Sequence, residues 1–373
     1  MAQLQQNTAE RILAGNINSK RVTVGGYGEI TYNNQTGKNV ELDVQRLVLL
    51  FGYKFDDRTQ FITEIEFEHV KEVFIEQAFL QYAVSDNINL KAGLMLVPMG
   101  IINEYHEPTT FNGVERPSMD AAIIPTTWRE IGFGLSGKSN EASLRYQAYI
   151  FNGFQSTLSD GNGNIIGGKL GGSKGLRGGR QKGAKSNFNN INFSTKVDYY
   201  GIAGLRLGAS GYFGKTQSPV DVADVSGAEV GIAMFGMDAR YIKNRFTARG
   251  QFITASLSST QEYNTATGKD LGSSLQGWYV EVAYNLLAQE KKQELVSFVR
   301  FEDFDTHASI DSGLIKNKKY DRNELTVGLS YKIAKGAVVK ADYQFKNNAV
   351  VNSTTTKQLN FRNRSLLLKR SFM

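Results

Sequence analysis

Asn192-Phe193-Ser194-Thr195-Lys196-Val197-Asp198-Tyr199 is the stretch on which the fold turns. Side chains alternate between the two faces of a strand, so Phe193, Thr195, Val197 and Tyr199 share one side. Asn192, Ser194, Lys196 and Asp198 share the other, and that side is charged. The same period recurs. Leu205, Leu207 and Ala209 alternate with Arg206, Gly208 and Ser210, and Phe235, Met237, Ala239 and Tyr241 with Gly236, Asp238 and Arg240. Leu325, Val327, Leu329 and Tyr331 alternate with Glu324, Thr326, Gly328 and Ser330.

Such runs, with their turns, predict strands near 22–33, 40–55, 58–70, 73–85, 87–97, 128–138, 141–152, 189–200, 203–214, 228–243, 244–257, 275–288, 293–304, 321–334, 335–347 and 356–372. This even number, about sixteen, is the pattern of a single-chain bacterial barrel. Composition agrees: 38 Gly, 17 Tyr and 22 Phe against 5 Pro in 373 residues favour strands and turns. The absence of Cys excludes a disulfide framework and thiolate metal sites. No run approaches the roughly 18 apolar residues of a membrane helix. Because only helices and closed barrels satisfy every backbone group inside lipid, the expected fold is all-β, a closed antiparallel transmembrane barrel.

Connections come in two sizes. Asp56-Asp57, Ser85-Asp86-Asn87, Ser139-Asn140, Lys243-Asn244 and Ala334-Lys335-Gly336 are short, whereas 98–127, 153–188, 215–227, 258–274 and 305–320 are long. That asymmetry matches periplasmic turns and extracellular loops. Aromatics gather at strand ends, at Tyr27 and Tyr32, Phe51, Tyr53 and Phe55, Tyr199 and Tyr200, Tyr212 and Phe213, and Tyr343 and Phe345, where interfacial girdles are expected. Residues 1–21 are assigned to an N-terminal periplasmic segment and 22–373 to the barrel. Met1-Ala2-Gln3-Leu4 lacks a signal-peptide pattern and is taken as a mature or recombinant start. The glycine-rich segment 153–188, basic through Lys174, Arg177, Arg180, Lys182 and Lys185, could grip anions such as phosphate through backbone amides, but with no following helix a mobile external loop is preferred.

The net charge of +7 does not indicate nucleic-acid binding, because Lys and Arg are interleaved with acids along the chain. Glu64-Ile65-Glu66-Phe67-Glu68 places three carboxylates on one strand face. In a barrel that face must point into the lumen, since charge is costly against the bilayer. Opposing cations are expected from Arg46, Arg145, Arg206, Arg240, Arg249, Arg300 and Lys340. Two such acids could also form a glycosidase pair, but no acid is singled out by desolvation, and pore-lining charge is preferred. The three histidines, His69, His106 and His307, form no catalytic or metalloprotease spacing. Glu104-Tyr105-His106-Glu107 could hold a cation, but four consecutive residues converge poorly on one ion, and a solvated loop is preferred. Neither enzyme activity nor a metal or cofactor site is assigned.

Leu90-Lys91-Ala92-Gly93-Leu94-Met95-Leu96-Val97-Pro98-Met99-Gly100, then Asn112-Gly113-Val114-Glu115-Arg116-Pro117 and Thr127-Trp128-Arg129-Glu130-Ile131-Gly132, resemble the porin O and P (phosphate-selective porin) family in its Bacteroidota form. Gly25-Gly26-Tyr27-Gly28-Glu29 resembles the first strand of that family and Phe298-Val299-Arg300-Phe301-Glu302 a late one. The resemblance implies a sixteen-strand outer-membrane channel, often a homotrimer, with 98–127 folded inward as its constriction. Glu104, Glu107, Glu115, Arg116 and Arg129 then join the pore-lining candidates. Loop 98–127 holds no lysine, so the arginine ladder and lysine cluster of phosphate-specific members are not assigned. The expected function is passive diffusion of small hydrophilic solutes or ions, with phosphate-like anions as one option. The alternative is a barrel serving as scaffold or partner subunit of other envelope proteins. The final strand is the weakest expectation, because Leu366-Leu367-Leu368 breaks period two.

Overall fold

The computed structural model describes residues 21–334, 336–351 and 353–372. The expected N-terminal periplasmic segment falls, but for Arg21, outside the described residues. Sixteen strands close into one antiparallel barrel. In chain order these are β1 (Val22–Gln35), β2 (Glu41–Lys54), β3 (Thr59–Glu68), β4 (Glu72–Ser85), β5 (Ile88–Leu96), β6 (Arg129–Ser139) and β7 (Leu144–Phe151), then, after β8 (Thr157–Ser159) and β9 (Ile165–Gly168), which lie outside the wall, β10 (Asn192–Tyr199) and β11 (Leu205–Lys215). The circuit continues through β12 (Gly231–Lys243), β13 (Phe246–Ser258), β14 (Ser274–Asn285), β15 (Glu294–Ser309), β16 (Asp321–Ala334), β17 (Ala337–Asn348) and β18 (Thr356–Phe372). Each barrel strand pairs with its neighbours along the chain, and β18 pairs with β1 to close the ring. Closure leaves no open edge, so backbone groups are satisfied without water.

The alternation resolves as the sequence requires. In β10, Phe193, Val197 and Tyr199 are exposed whereas Asn192, Ser194, Lys196 and Asp198 are buried. In β12, Met237 is 70% exposed and the adjacent Asp238 only 6%. Exposed apolar side chains belong to the lipid-facing band and buried polar ones to the lumen. Two of the aromatics expected in the girdles lie elsewhere: Tyr27 and Tyr212 are fully buried inside the barrel. Both sit on the inward parity of β1 and β11, so period, not ring chemistry, decides where they point.

Two irregularities matter. Val24 pairs with Arg370 and Gly26 with Leu367, so two residues of β18 stand opposite the single Gly25. The ladder continues on both sides of this bulge, and the strand closes the barrel. A second extra residue lies in β4. Glu64 pairs with Gln77 and the next residue, Ile65, with Ile75, so Glu76 has no counterpart on β3. Glu76 and Gln77 are consequently both buried in the lumen. Consecutive polar residues in Ile75-Glu76-Gln77-Ala78 were a legible sign of that switch in parity.

Candidate constriction site

The segment from Val97 to Trp128 leaves the wall and crosses the lumen. Its apolar residues supply the reason: Met99, Ile101, Ile102, Met119, Ile123 and Ile124 are buried in one cluster with the inward side chains Tyr212, Ile253, Leu275 and Tyr279. Its polar groups bond to strands around the circumference. Val114 N donates to Asp342 of β17 at 2.6 Å, Met119 N to Glu302 of β15 at 3.0 Å, and Asn112 Nδ2 to Glu281 of β14 at 2.8 Å. Ser118 Oγ donates to Glu324 of β16 at 2.7 Å, in the short helix Ser118–Ala122. Lys340 Nζ reaches three carbonyls of this segment, those of Pro108, Phe111 and Gly113, at 2.6, 2.5 and 2.8 Å, and lies 4.2 Å from the centre of the Phe111 ring. Those four strands are consecutive, but His106 also meets Glu76 of β4 at 3.0 Å and Glu104 meets Lys196 of β10 at 2.9 Å, so the loop reaches other walls and spans the channel.

Most of the expected pore-lining residues meet one another or this loop. Arg46 contacts Glu66 at 2.6 Å, Glu68 at 3.5 Å and Glu29 at 3.7 Å. Arg206 pairs with Asp198 at 2.6 Å and donates to Tyr105 Oη at 3.1 Å, while Arg240 stacks over the Tyr105 ring at 4.9 Å. Arg249 pairs with Glu281 at 2.6 Å and donates to the Thr110 carbonyl at 3.1 Å. Arg300 lies between Glu302 at 2.8 Å and Glu281 at 3.3 Å. Arg145 stands opposite Asp198 in the β7–β10 register, and Glu115 approaches Arg362 at 3.7 Å. Most of these charges are paired along a strand, across neighbouring strands or with the loop, as burial demands.

The Glu104-Tyr105-His106-Glu107 cluster departs from the expected solvated loop, since all four residues are buried. Nor do they converge on one another. Glu104 reaches Lys196 at 2.9 Å and Gln147 at 2.7 Å. Burial works against its charge, but Lys196 more than offsets this and holds the carboxyl below its usual range. His106 turns to the opposite wall, with Nε2 at 3.0 Å from Glu76 of the β4 bulge. Burial disfavours the imidazolium, yet Glu76 raises His106 above the ordinary imidazole range. Glu76 also meets Arg129 at 3.3 Å, and Glu64 accepts from Gln77 at 2.6 Å.

The basic segment 153–188 folds against the crossing loop. It carries a small hairpin, β8 (Thr157–Ser159) with β9 (Ile165–Gly168), and buries Phe154, Leu170 and Leu176. Arg177 donates to the Thr126 carbonyl, and Arg180 Nη1 donates to the carbonyls of Pro125 and Thr127 at 3.1 Å each. Lys182 and Arg129 share the Phe74 ring at 5.1 and 6.0 Å. These cations crowd one another. Burial first, then Arg177 and Arg129, pushes Arg180 down to about 9. Burial and Arg116 lower Arg177, and burial, Arg180 and Arg129 lower Lys182. Arg116 is itself lowered by burial and by Arg46. The sequence reading weighed anion binding by the segment that holds Arg177, Arg180 and Lys182 and preferred a mobile loop; Arg-Gly-Gly-Arg, with two arginines three apart and no neighbouring acid, was the signal for side-chain cations at the junction.

Comparison with known proteins places this geometry. The family described as "Phosphate-selective porin O and P" matches residues 24–331. An uncharacterized protein of Aquifex aeolicus (strain VF5) is 34% identical over 346 residues, covering 87% of this chain and 75% of that one. Among solved structures, an anion-selective porin from Comamonas acidovorans superposes with TM-score 0.60 at 11% identity, over 94% of this chain and all of that one. The trimer form of OmpT of Vibrio cholerae gives 0.58 at 10% identity over 94% and 100%. The outer-membrane channel DcaP of Acinetobacter baumannii gives 0.59 at 11% over 93% and 97%. At such identities the likeness is one of fold.

Proposed function

This chain belongs to the phosphate-selective porin O and P family, a family of outer-membrane diffusion channels, and from that premise we propose that it favours small anions. One observation carries the preference: Arg116, Arg177, Arg180 and Lys182 meet, beside Arg129 and its partner Glu76, where the two inward segments touch. Arg177 and Arg180 bond to neutral carbonyls, so hydrogen bonding is satisfied without cancelling charge. Cations that depress one another's proton affinity are short of anions, and an entering anion relieves that repulsion. Most of the paired rows behind them, from Arg46 and Glu66 round to Arg300 and Glu302, hold the crossing loop and contribute little net field.

Passage is by diffusion, with no energy coupling and no enzymatic step. The barrel sits among outer-membrane lipids through its apolar band and assembles as a homotrimer, as the trimer form of OmpT does. Phosphate is one candidate among small anions, suited to guanidinium forks.

Reversal potential across a planar bilayer in a salt gradient tests the reading. Anion permeation should exceed cation permeation in the native protein. In Arg177→Gln/Arg180→Gln the ratio should fall toward unity, while Arg180→Lys retains it. Cation preference, or selectivity indifferent to the double substitution, would sink the proposal.

A further inference from the structure

We infer that Glu64, Glu76 and His106 form a site for one divalent transition-metal ion, Zn2+ being the natural probe, which fastens the crossing loop to the β3–β4 wall. One carboxylate oxygen from each acid and one imidazole nitrogen lie within 4.8 Å of one another, and all three residues are buried. Ligand atoms around tetrahedral zinc stand about 3.3–3.6 Å apart, so small rotamer changes close the set.

Three features distinguish this cluster from an ordinary buried salt bridge. His106 Nδ1 lies 3.1 Å from the Asn103 carbonyl, which can only accept, so Nδ1 carries a proton and Nε2 is presented inward. That backbone tether is the usual support of a metal-binding imidazole. Nε2 then faces Glu76 Oε2 at 3.0 Å, two lone-pair atoms that need a proton or a cation between them. Independently, Glu64 Oε1 is buried without a hydrogen-bond partner, and the partner of Oε2, Gln77, is neutral. A buried carboxylate oxygen left so is costly.

The β4 bulge supports the assignment from the backbone. Glu76 is the residue without a counterpart on β3, and only that insertion turns it inward beside Glu64. Bulges re-aim side chains in this manner beside functional sites. One nitrogen with two carboxylates suits Zn2+ and its first-row neighbours rather than Ca2+ or Mg2+, which take oxygen sets. Binding displaces the proton shared by His106 and Glu76, so uptake releases acid.

The full-length protein, folded in detergent and freed of metal by a chelator, is titrated with Zn2+ by calorimetry. A His69→Gln background removes the exposed His69–Asp43 pair as a competing site. One Zn2+ per protomer is expected, with Glu64→Gln and His106→Gln each weakening binding by at least about tenfold. The absence of stoichiometric uptake, or variants that bind as the parent does, would overturn the site. Co2+ in the parent protein gives a readout that needs no further variant to fold: visible bands of a low-coordinate nitrogen–oxygen site support it, and the spectrum of the hydrated ion refutes it. Ion selectivity is independent of this result, so the two proposals fail separately.

Discussion

Asp120, in the short helix of the crossing loop, is a buried acid whose Oδ1 accepts from Gln251 at 2.8 Å while Oδ2 has no partner. Burial pushes its carboxyl up from 3.8 to about 7, and nearby Glu302 adds to the rise while Gln251, Arg249 and Arg300 oppose it. Because the folded value lies above the unfolded one, the native state binds the extra proton. The stabilisation is therefore complete below about pH 4 and lost as pH rises toward about 7, spanning about 4 kcal/mol. Thermal unfolding of the native protein should lose stability across that window more steeply than Asp120→Asn; parallel pH profiles would refute the assignment. Other lumen acids titrate in both proteins, so the difference is the measure. The sequence placed Lys340 and Arg300 on an inward face, and both are buried there. It could not assign their partners, because Lys340 binds a carbonyl 227 residues earlier and no local pattern reports such a distance.

Strands were the most legible elements, since period two is written into each of them, and all sixteen barrel strands fall where alternation put them. What escaped was parity. A bulge shifts faces midway along a strand, and the sequence shows it only as two adjacent polar residues, Glu76 and Gln77, after Val73-Phe74-Ile75. The hairpin Thr157–Ser159 with Ile165–Gly168 escaped for another reason, being too short for alternation to register. The bulge predicts that deletion at this one position is tolerated. Removing Glu76 restores even pairing with β3 and leaves residues 72–75 on their present faces, with Val73 still opposite Phe67 on the outer side. That variant and Glu76→Gln should both keep the compact, heat-modifiable form on gels, whereas Val73→Asp, which turns a charge toward lipid from a residue now 58% exposed, should weaken it. A deletion variant that does not fold would show that β4 needs its extra residue for closure and not only to aim Glu76.

Taken as one object, the barrel separates two uses of charge. Rows such as Arg46 with Glu66 and Arg300 with Glu302 are buried and matched, and they fix the loop in place. Apart from the buried Arg129, which meets Glu76, the cations at the junction of loops 98–127 and 153–188 have no ion pair among the described residues and are partly open to solvent, with Lys182 exposed. The two populations answer differently to salt. Buried pairs are screened little, so barrel stability should change weakly with ionic strength. The field of the junction passes through water and is screened over a distance that falls from about 10 Å at 0.1 M to about 3 Å at 1 M. Anion-over-cation permeability should therefore drop toward unity across that range while the heat-modification temperature of the barrel holds. Reversal potentials at matched gradients but different mean salt measure the first, and gel migration after stepwise heating measures the second. Selectivity that survives 1 M salt would locate its source in close contact with a desolvated ion, at a site narrower than the junction of the two loops.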